Sequence, residues 1–170
     1  MGLLGSTRFD SMEDLFVQQL EDIYDAEKRL TRALPKMAEA AHGEDLKQAF
    51  NDHLQQTEGH VQRLEQVFSQ FGKQPERETC EAMKGLVKEG EEMIQAEGDA
   101  SVRDAALIAA AQRVEHYEIS AYGTLRSHAR ALGRPDVANV LQQTLDEEHQ
   151  ADNKLTEIAE GHINPEARAA

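Results

Sequence analysis

Apolar residues recurring every three or four positions through four long stretches leave this chain little choice of architecture. The first stretch opens on an N-cap signal, Ser11 with Asp14, and carries Phe16, Leu20, Ile23, Leu30, Leu34 and Ala38 before Gly43. The second runs from about Glu44 through Leu46, Phe50, Leu54, Val61, Leu64 and Phe68 to Gly72. The third carries Leu107, Ala111, Val114, Ala121 and Leu125 and stops at Gly133. The fourth opens at Arg134-Pro135 and continues with Val137, Leu141, Leu145, Leu155 and Ala159. Only 4 prolines and scarcely any β-branched or aromatic runs interrupt this pattern, so the chain is predicted to be all-α. At 170 residues it reads as one domain, 1–170, with a helical bundle over about 11–160 and loose termini at 1–10 and 161–170.

The connections set the topology. Those after the first and third stretches are short and join antiparallel neighbours. The one between the second and third, Lys73 to Ser101, contains a short amphipathic piece with Met83, Leu86, Val87, Met93 and Ile94 on one side. Helices of about 25 residues are about 38 Å long at about 1.5 Å per residue, and a short helix with extended flanks can cross that distance. Two hairpins joined by one long crossover predict a ferritin-like antiparallel four-helix bundle, with an additional short helix in the crossover between helices 2 and 3.

Charge and cysteine count narrow the functions. Against 18 Lys+Arg stand 32 Asp+Glu, a net charge of −14 that repels nucleic acid and anionic lipid and attracts cations. The single cysteine, Cys80, excludes an internal disulfide and any Cys-only zinc or iron–sulfur site; it reads as an inert thiol in a connecting segment. A reducing cytoplasm suits such a chain. No apolar run reaches the roughly 18 residues of a membrane span, and no signal peptide is visible. The opening MGLLGS fits a loose myristoylation pattern, which we discount as short and common.

The seams are interrupted in a consistent way. In the stretch VEHYEISAY, Glu118 falls inside the apolar stripe and Glu115 on its edge. The first helix has one interruption, Glu27. The second has His53, Thr57 and His60, and the fourth has Glu148 and Asp152. Each lies near the middle of its helix, so in an antiparallel bundle five carboxylates and two imidazoles meet at one level. A lone buried carboxylate costs several kcal/mol or more, and neighbours add repulsion. Lys28, Arg29, Arg63, Arg113 and Lys154 all fall outside the seams and offer no relief. Two divalent cations do, and carboxylates with one or two imidazoles suit iron or manganese. Any one of these residues alone would more often be a helix-end charge or a hydrogen-bonded core group; the coincidence on four helices is what points to metal. The candidate ligands are therefore Glu27, His53, His60, Glu115, Glu118, Glu148 and Asp152, with His53 and His60 competing for the first coordination sphere. His116 and His149 project away from the seams. Tyr24 and Tyr122 flank the site level as candidates to hydrogen-bond ligands or pass electrons, though a core tyrosine is the commoner role.

These residues also carry a resemblance. Tyr24-Asp25-Ala26-Glu27-Lys28, His53 with Thr57, the run DAALIAAAQRVEHYEISAYGTL from Asp104 to Leu125, and Leu145 to Leu155 resemble the YciE/YciF stress-response family over nearly the whole chain. The resemblance implies a ferritin-like homodimer with a dinuclear metal site, at work in the bacterial cytoplasm under stress. Glu115-x-x-Glu118 is similar to the doubled glutamate that rubrerythrins carry on the third helix, an arrangement associated with peroxide reduction. Thr57-x-x-His60 and Glu148-x-x-x-Asp152 depart from the rubrerythrin Glu-x-x-His pattern, so the two halves of the site are unequal. The expected function is an oxidoreductase acting on peroxide or dioxygen at two metal ions, iron first and manganese second. Glu115, Glu118, Tyr24 and Tyr122 are the candidate catalytic residues. The electron donor lies outside the chain, since no four-cysteine module is present. The alternatives are a non-catalytic, iron-sequestering stress protein and a purely structural bundle.

Overall fold

The computed structural model describes residues 8–75 and 78–170. They form α1 (Met12–Ala40), α2 (Glu44–Gln70), α3 (Glu81–Ile94), α4 (Ala100–Ala131) and α5 (Pro135–Ile158). A π-helical turn (Ala159–Ile163) and a short α6 (Asn164–Ala169) follow. Among the described residues there is no strand, and the all-α expectation holds. The MGLLGS segment lies outside the described residues.

Local chemistry fixes the helix ends. The Ser11 hydroxyl accepts from the Asp14 amide at 3.0 Å, capping α1 as the sequence predicts. Asp99 accepts from the Ser101 and Val102 amides at 2.8 and 3.1 Å and starts α4 five residues before Ala105. Gly133, at φ +70°, ends α4: its amide and that of Arg134 fold back to the carbonyls of Arg130 and Ala129. Pro135 then begins α5 at a position where its missing N–H costs nothing.

Pairwise packing gives each helix its direction. Phe16, early in α1, lies 4.8 Å from Phe71, just past α2, and Tyr24 packs edge-on against Phe68, so α1 and α2 are antiparallel. Gln112 reaches Thr156 while Arg126 reaches Gln142, which makes α4 and α5 antiparallel as well. Asp104 at the start of α4 holds the end of α1, and Tyr122 further along α4 meets Glu27, so α4 also runs against α1. Arg134 touches Gln70 and Arg63 touches Glu147, which sets α5 against α2. The crossover from α2 to α4 makes this arrangement possible, and α3 within it packs on α1 and α4 through the buried Met83.

The core is continuous, from Phe16, Leu20 and Ile23 through Leu46, Leu64, Phe68, Leu107, Leu125 and Leu141 to Ile163. Ile163 corrects the expectation of a loose tail beyond Gly161. The chain stays helical to Ala169, and Ile163 is buried because the wider π turn rotates it back onto the core. No described helix is long and apolar enough to cross a membrane.

Candidate metal centre

Each long helix delivers polar residues from near its midpoint, and the packing sets these midpoints facing one another. Glu27 comes from α1, His53, Thr57 and His60 from α2, Glu115 and Glu118 from α4, and Glu148 from α5; all are buried. Within each helix the residues three, four or seven positions apart share a face, so His53, Thr57 and His60 form one column. The two imidazoles stand 6.2 Å apart, ring centre to ring centre.

The side chains form two groups that share one carboxylate. Ligand atoms of His53, Glu115, Glu118 and Glu148 all lie within 4.8 Å of one another, as do those of Glu27, His60 and Glu148. His53 Nε2 is 3.3 Å from Glu115 Oε1 and 3.7 Å from Glu148 Oε2. His60 Nδ1 is 3.0 Å from Glu148 Oε1 and 3.2 Å from Glu27 Oε1. Glu148 thus offers one oxygen to each group. Both histidines belong to the cluster rather than competing for one place.

These atoms are close but poorly bonded. Among the described residues, twelve buried side-chain nitrogen or oxygen atoms have no hydrogen-bond partner, and nine of them are here. They include both oxygens of Glu118, both of Glu148, one each of Glu27 and Glu115, Thr57 Oγ1, His53 Nε2 and His60 Nδ1. Buried polar atoms elsewhere in proteins are nearly all paired, so such a concentration, relieved only by the His–carboxylate contacts of 3.0 to 3.7 Å, marks groups that converge on a common point.

The backs of the imidazoles are anchored. His60 Nε2 lies 2.9 Å from Glu147 Oε2, and Glu147 is gripped by both terminal nitrogens of Arg63 at 2.6 and 2.8 Å, with Thr144 accepting from Arg63 as well. His53 Nδ1 lies 3.3 Å from Gln56 Oε1. These contacts place the other ring nitrogens, Nδ1 of His60 and Nε2 of His53, facing inward, the orientation in which an outer acceptor fixes a metal-binding histidine. Glu147 escaped the sequence reading, and Arg63, which that reading set outside the seams, reaches the cluster through it. Glu147 sits one residue before Glu148 and looks like solvent-face charge; the available signal was that Arg63 follows His60 by three and must share its face.

The electrostatics of the cluster without a cation are unfavourable. Burial pushes Glu115 up to about 8, over the opposing effect of its close approach to Glu148. Burial lifts Glu148 to about 7 against the pull of His60, and carries Glu118 well above the carboxylate range, with the charges of Glu148, Glu27 and Glu115 adding to it. Burial alone would lower His60, but the charges of Glu27 and Glu148 outweigh it and hold the imidazole up at about 11. Four carboxylates meet here, −4 in charge when ionised, and two divalent cations carry +4. The donor set, the inward-facing ring nitrogens and the unpartnered oxygens all fit such a pair.

Two expected participants stand elsewhere. Asp152 is turned aside: its carboxylate accepts from Gln112 Nε2 at 3.1 Å and lies 3.2 Å from the exposed His116. One helical turn past Glu148 is some 40° around the axis, enough to carry a short side chain out of the site. The fifth carboxylate of the sequence reading therefore drops out of both groups. Tyr24 donates to the exposed Glu65 at 3.1 Å, on the α1–α2 side. Tyr122 does reach the cluster, donating its hydroxyl to Glu27 Oε1, and burial beside that carboxylate pushes its pKa far up, so it stays a donor. His116 and His149 are exposed, as expected. Cys80 is fully buried, where its Sγ accepts from the Met83 amide at the start of α3 and contacts the Tyr117 hydroxyl at 3.0 Å; burial pushes the thiol up, in keeping with an inert group.

Known proteins share this chain's sequence and shape. Protein YciF of Escherichia coli (strain K12) is 48% identical over 158 residues, which span 92% of this chain and 95% of YciF. The crystal structure of that E. coli stress protein superposes with a TM-score of 0.88 at 47% identity, covering 92% of this chain and 99% of the other. YcfI from Rhodopseudomonas palustris superposes with a TM-score of 0.86 at 44% identity, over 90% and 98% of the two chains. A protein from Xanthomonas campestris pv. campestris shares the fold at 19% identity, with a TM-score of 0.74 over 91% and 95%. Residues 11–168 match the family described as a domain of unknown function, DUF892, and the chain belongs to that family, alongside the stress protein YciF.

Proposed function

We propose that this chain is a ferritin-like four-helix bundle built around two metal ions, iron or an iron–manganese pair, that reduces peroxide or dioxygen in the stressed bacterial cytoplasm. The observation that carries this reading is the shared carboxylate. Glu148 joins two buried groups whose oxygens and nitrogens converge, most of them with no hydrogen-bond partner among the described residues. Glu27 and His60 would hold one ion, and His53, Glu115 and Glu118 the other, with Glu148 between them. Metal ions in those places would supply the electrons and the binding positions for an O–O unit.

The chain's own residues set the terms of that chemistry. Glu147, backed by Arg63, would hold a proton on His60 Nε2 and so turn Nδ1 to a metal ion as the ligand atom. Tyr122 donates to Glu27 and fixes which oxygen of that carboxylate faces the cluster. Glu118, tied by no hydrogen bond, is free to change its angle, and Glu115 beside it is nearly so. Apolar neighbours keep bulk water from the inner residues. The electron donor is a separate protein or small reductant, and the working unit is a homodimer.

A sequestering protein without turnover is the second reading. It is favoured by Thr57, which places a hydroxyl where a further carboxylate would otherwise stand and makes the two halves unequal. The test is elemental analysis of protein purified without chelator, then repeated peroxide additions to the reduced, loaded protein. Two metals per chain and consumption over many equivalents support the enzyme; one burst that stops supports sequestration. No bound metal under any loading condition ends both.

A further inference from the structure

A cavity of about 420 Å³ opens between α2 and α5 beside the centre, and it has a one-sided relation to the ligands. His53 and Glu115 line it, and they are the cluster residues that keep some exposure, 6% and 2%; Glu27, His60, Glu118 and Glu148 keep none. Both lining ligands turn an unpartnered atom inward, His53 Nε2 and Glu115 Oε2. Ala49, Phe50, Ala151 and Leu155 make the walls, and the outer rim carries Asp45, Asp52 and Lys154.

We propose that this cleft is the port through which a hydrated divalent cation reaches the centre, with His53 and Glu115 the first ligands it meets. The inference rests on the metal-centre reading above. Six waters at about 30 Å³ each occupy roughly 180 Å³, so the cleft has room for the ion with its shell. The walls are mainly apolar, broken by the neutral amides of Gln48, Gln56 and Gln150, and the charged and imidazole ligands that would displace the shell stand at the floor. The rim supplies direction. Asp45 and Asp52 are exposed and stand in a chain of net charge −14, a field that gathers cations at the mouth. Asp45 lies 3.3 Å from His162 and Asp52 accepts from Gln48 at 2.7 Å, so both are held at the rim; Lys154 is the one opposing charge among the lining residues. The more buried pair, Glu27 and His60, would then be filled by ions passing inward across Glu148.

The port is tested by the rate of metal uptake, independently of any catalysis. Stopped-flow loading of the metal-free full chain with cobalt(II), read by its visible absorption, gives both rate and stoichiometry. Ala151→Phe and, as a milder plug, Ala49→Leu should slow loading by tenfold or more and leave the final stoichiometry unchanged. Lys154→Glu, which opens no space, should speed loading several-fold at low salt and lose that advantage at high salt. Plugged variants that are folded, bind the full complement and load at the unaltered rate overturn the port while leaving the metal centre standing. An unaltered protein that takes up no cobalt, iron or manganese overturns the metal centre, and the port with it.

Discussion

Glu118 is the residue at which the physics is least forgiving. Both of its oxygens are buried without a hydrogen-bond partner, and three other carboxylates stand near. Without a cation such a group destabilises the fold; with one it becomes a ligand. Glu118→Met should therefore separate the two effects. In chelator the variant should be more stable by about 1–3 kcal/mol, as an unsatisfied polar group gives way to an apolar side chain of similar size. The same variant should lose stoichiometric metal binding. Denaturant midpoints and elemental analysis read the two outcomes, and a destabilised variant that still binds two metals would contradict both. Glu147 offers a softer probe, since it touches the cluster only through His60. Glu147→Gln should weaken metal affinity by about 10–100-fold, measured by competition with a chelator, while the helix content stays unaltered.

At the scale of the elements, one buried carboxylate ties the two hairpins together. Asp104, in the first turns of α4, accepts from the His42 and Gly43 amides at 2.9 and 2.7 Å and so caps the start of α2 from a distant part of the chain. Asp104→Ala leaves those amides bare and should cost about 1–3 kcal/mol in a chemical denaturation midpoint. The end of the chain divides similarly. Ile163 is buried at the π turn, whereas α6 buries nothing. Ile163→Ala should cost roughly 2–5 kcal/mol, and a stop codon after Asn164 much less, both read by thermal melting. The helices themselves were legible, because each buries a stripe at three- and four-residue spacing that no strand could bury. The π turn was not: Gly161 reads as a stop, and only the core contact of Ile163 keeps the backbone helical past it.

The whole molecule responds to pH through its centre. In the metal-free protein Glu115 and Glu148 have folded pKa values raised to about 8 and about 7 from an ordinary 4.5, and His60 is raised to about 11 from 6.5. Groups raised on folding stabilise the protein in full below their unfolded values and lose that contribution as pH climbs through the folded ones. The carboxylates lose theirs between about 4.5 and 8, and His60 its own between about 6.5 and 11. Melting temperature in chelator should fall as pH is raised from 5 towards 9. Binding of metal requires those protons to leave, so loading should release protons and tighten with rising pH, and the loaded protein should not share the fall. A metal-free protein that grows more stable across that range would show that the cluster is solvated and not buried.

The sequence by itself determined the helices, their hairpin pairing through short connections, and a polar level in the seams where Glu27, His53, His60, Glu115, Glu118 and Glu148 had to meet. Periodicity is a one-dimensional record of burial, and burial is what folds the chain. Tertiary structure alone decided which polar residues finish at the point and which stop short. Asp152 and Glu148 share a helix face in sequence, yet the neighbouring Gln112 and His116 draw one carboxylate away. Glu147 reads as surface charge, yet it becomes the anchor of His60 because Arg63 on another helix holds it there. Side-chain direction over a few ångströms is settled by partners from other helices, and spacing along one helix carries no record of them.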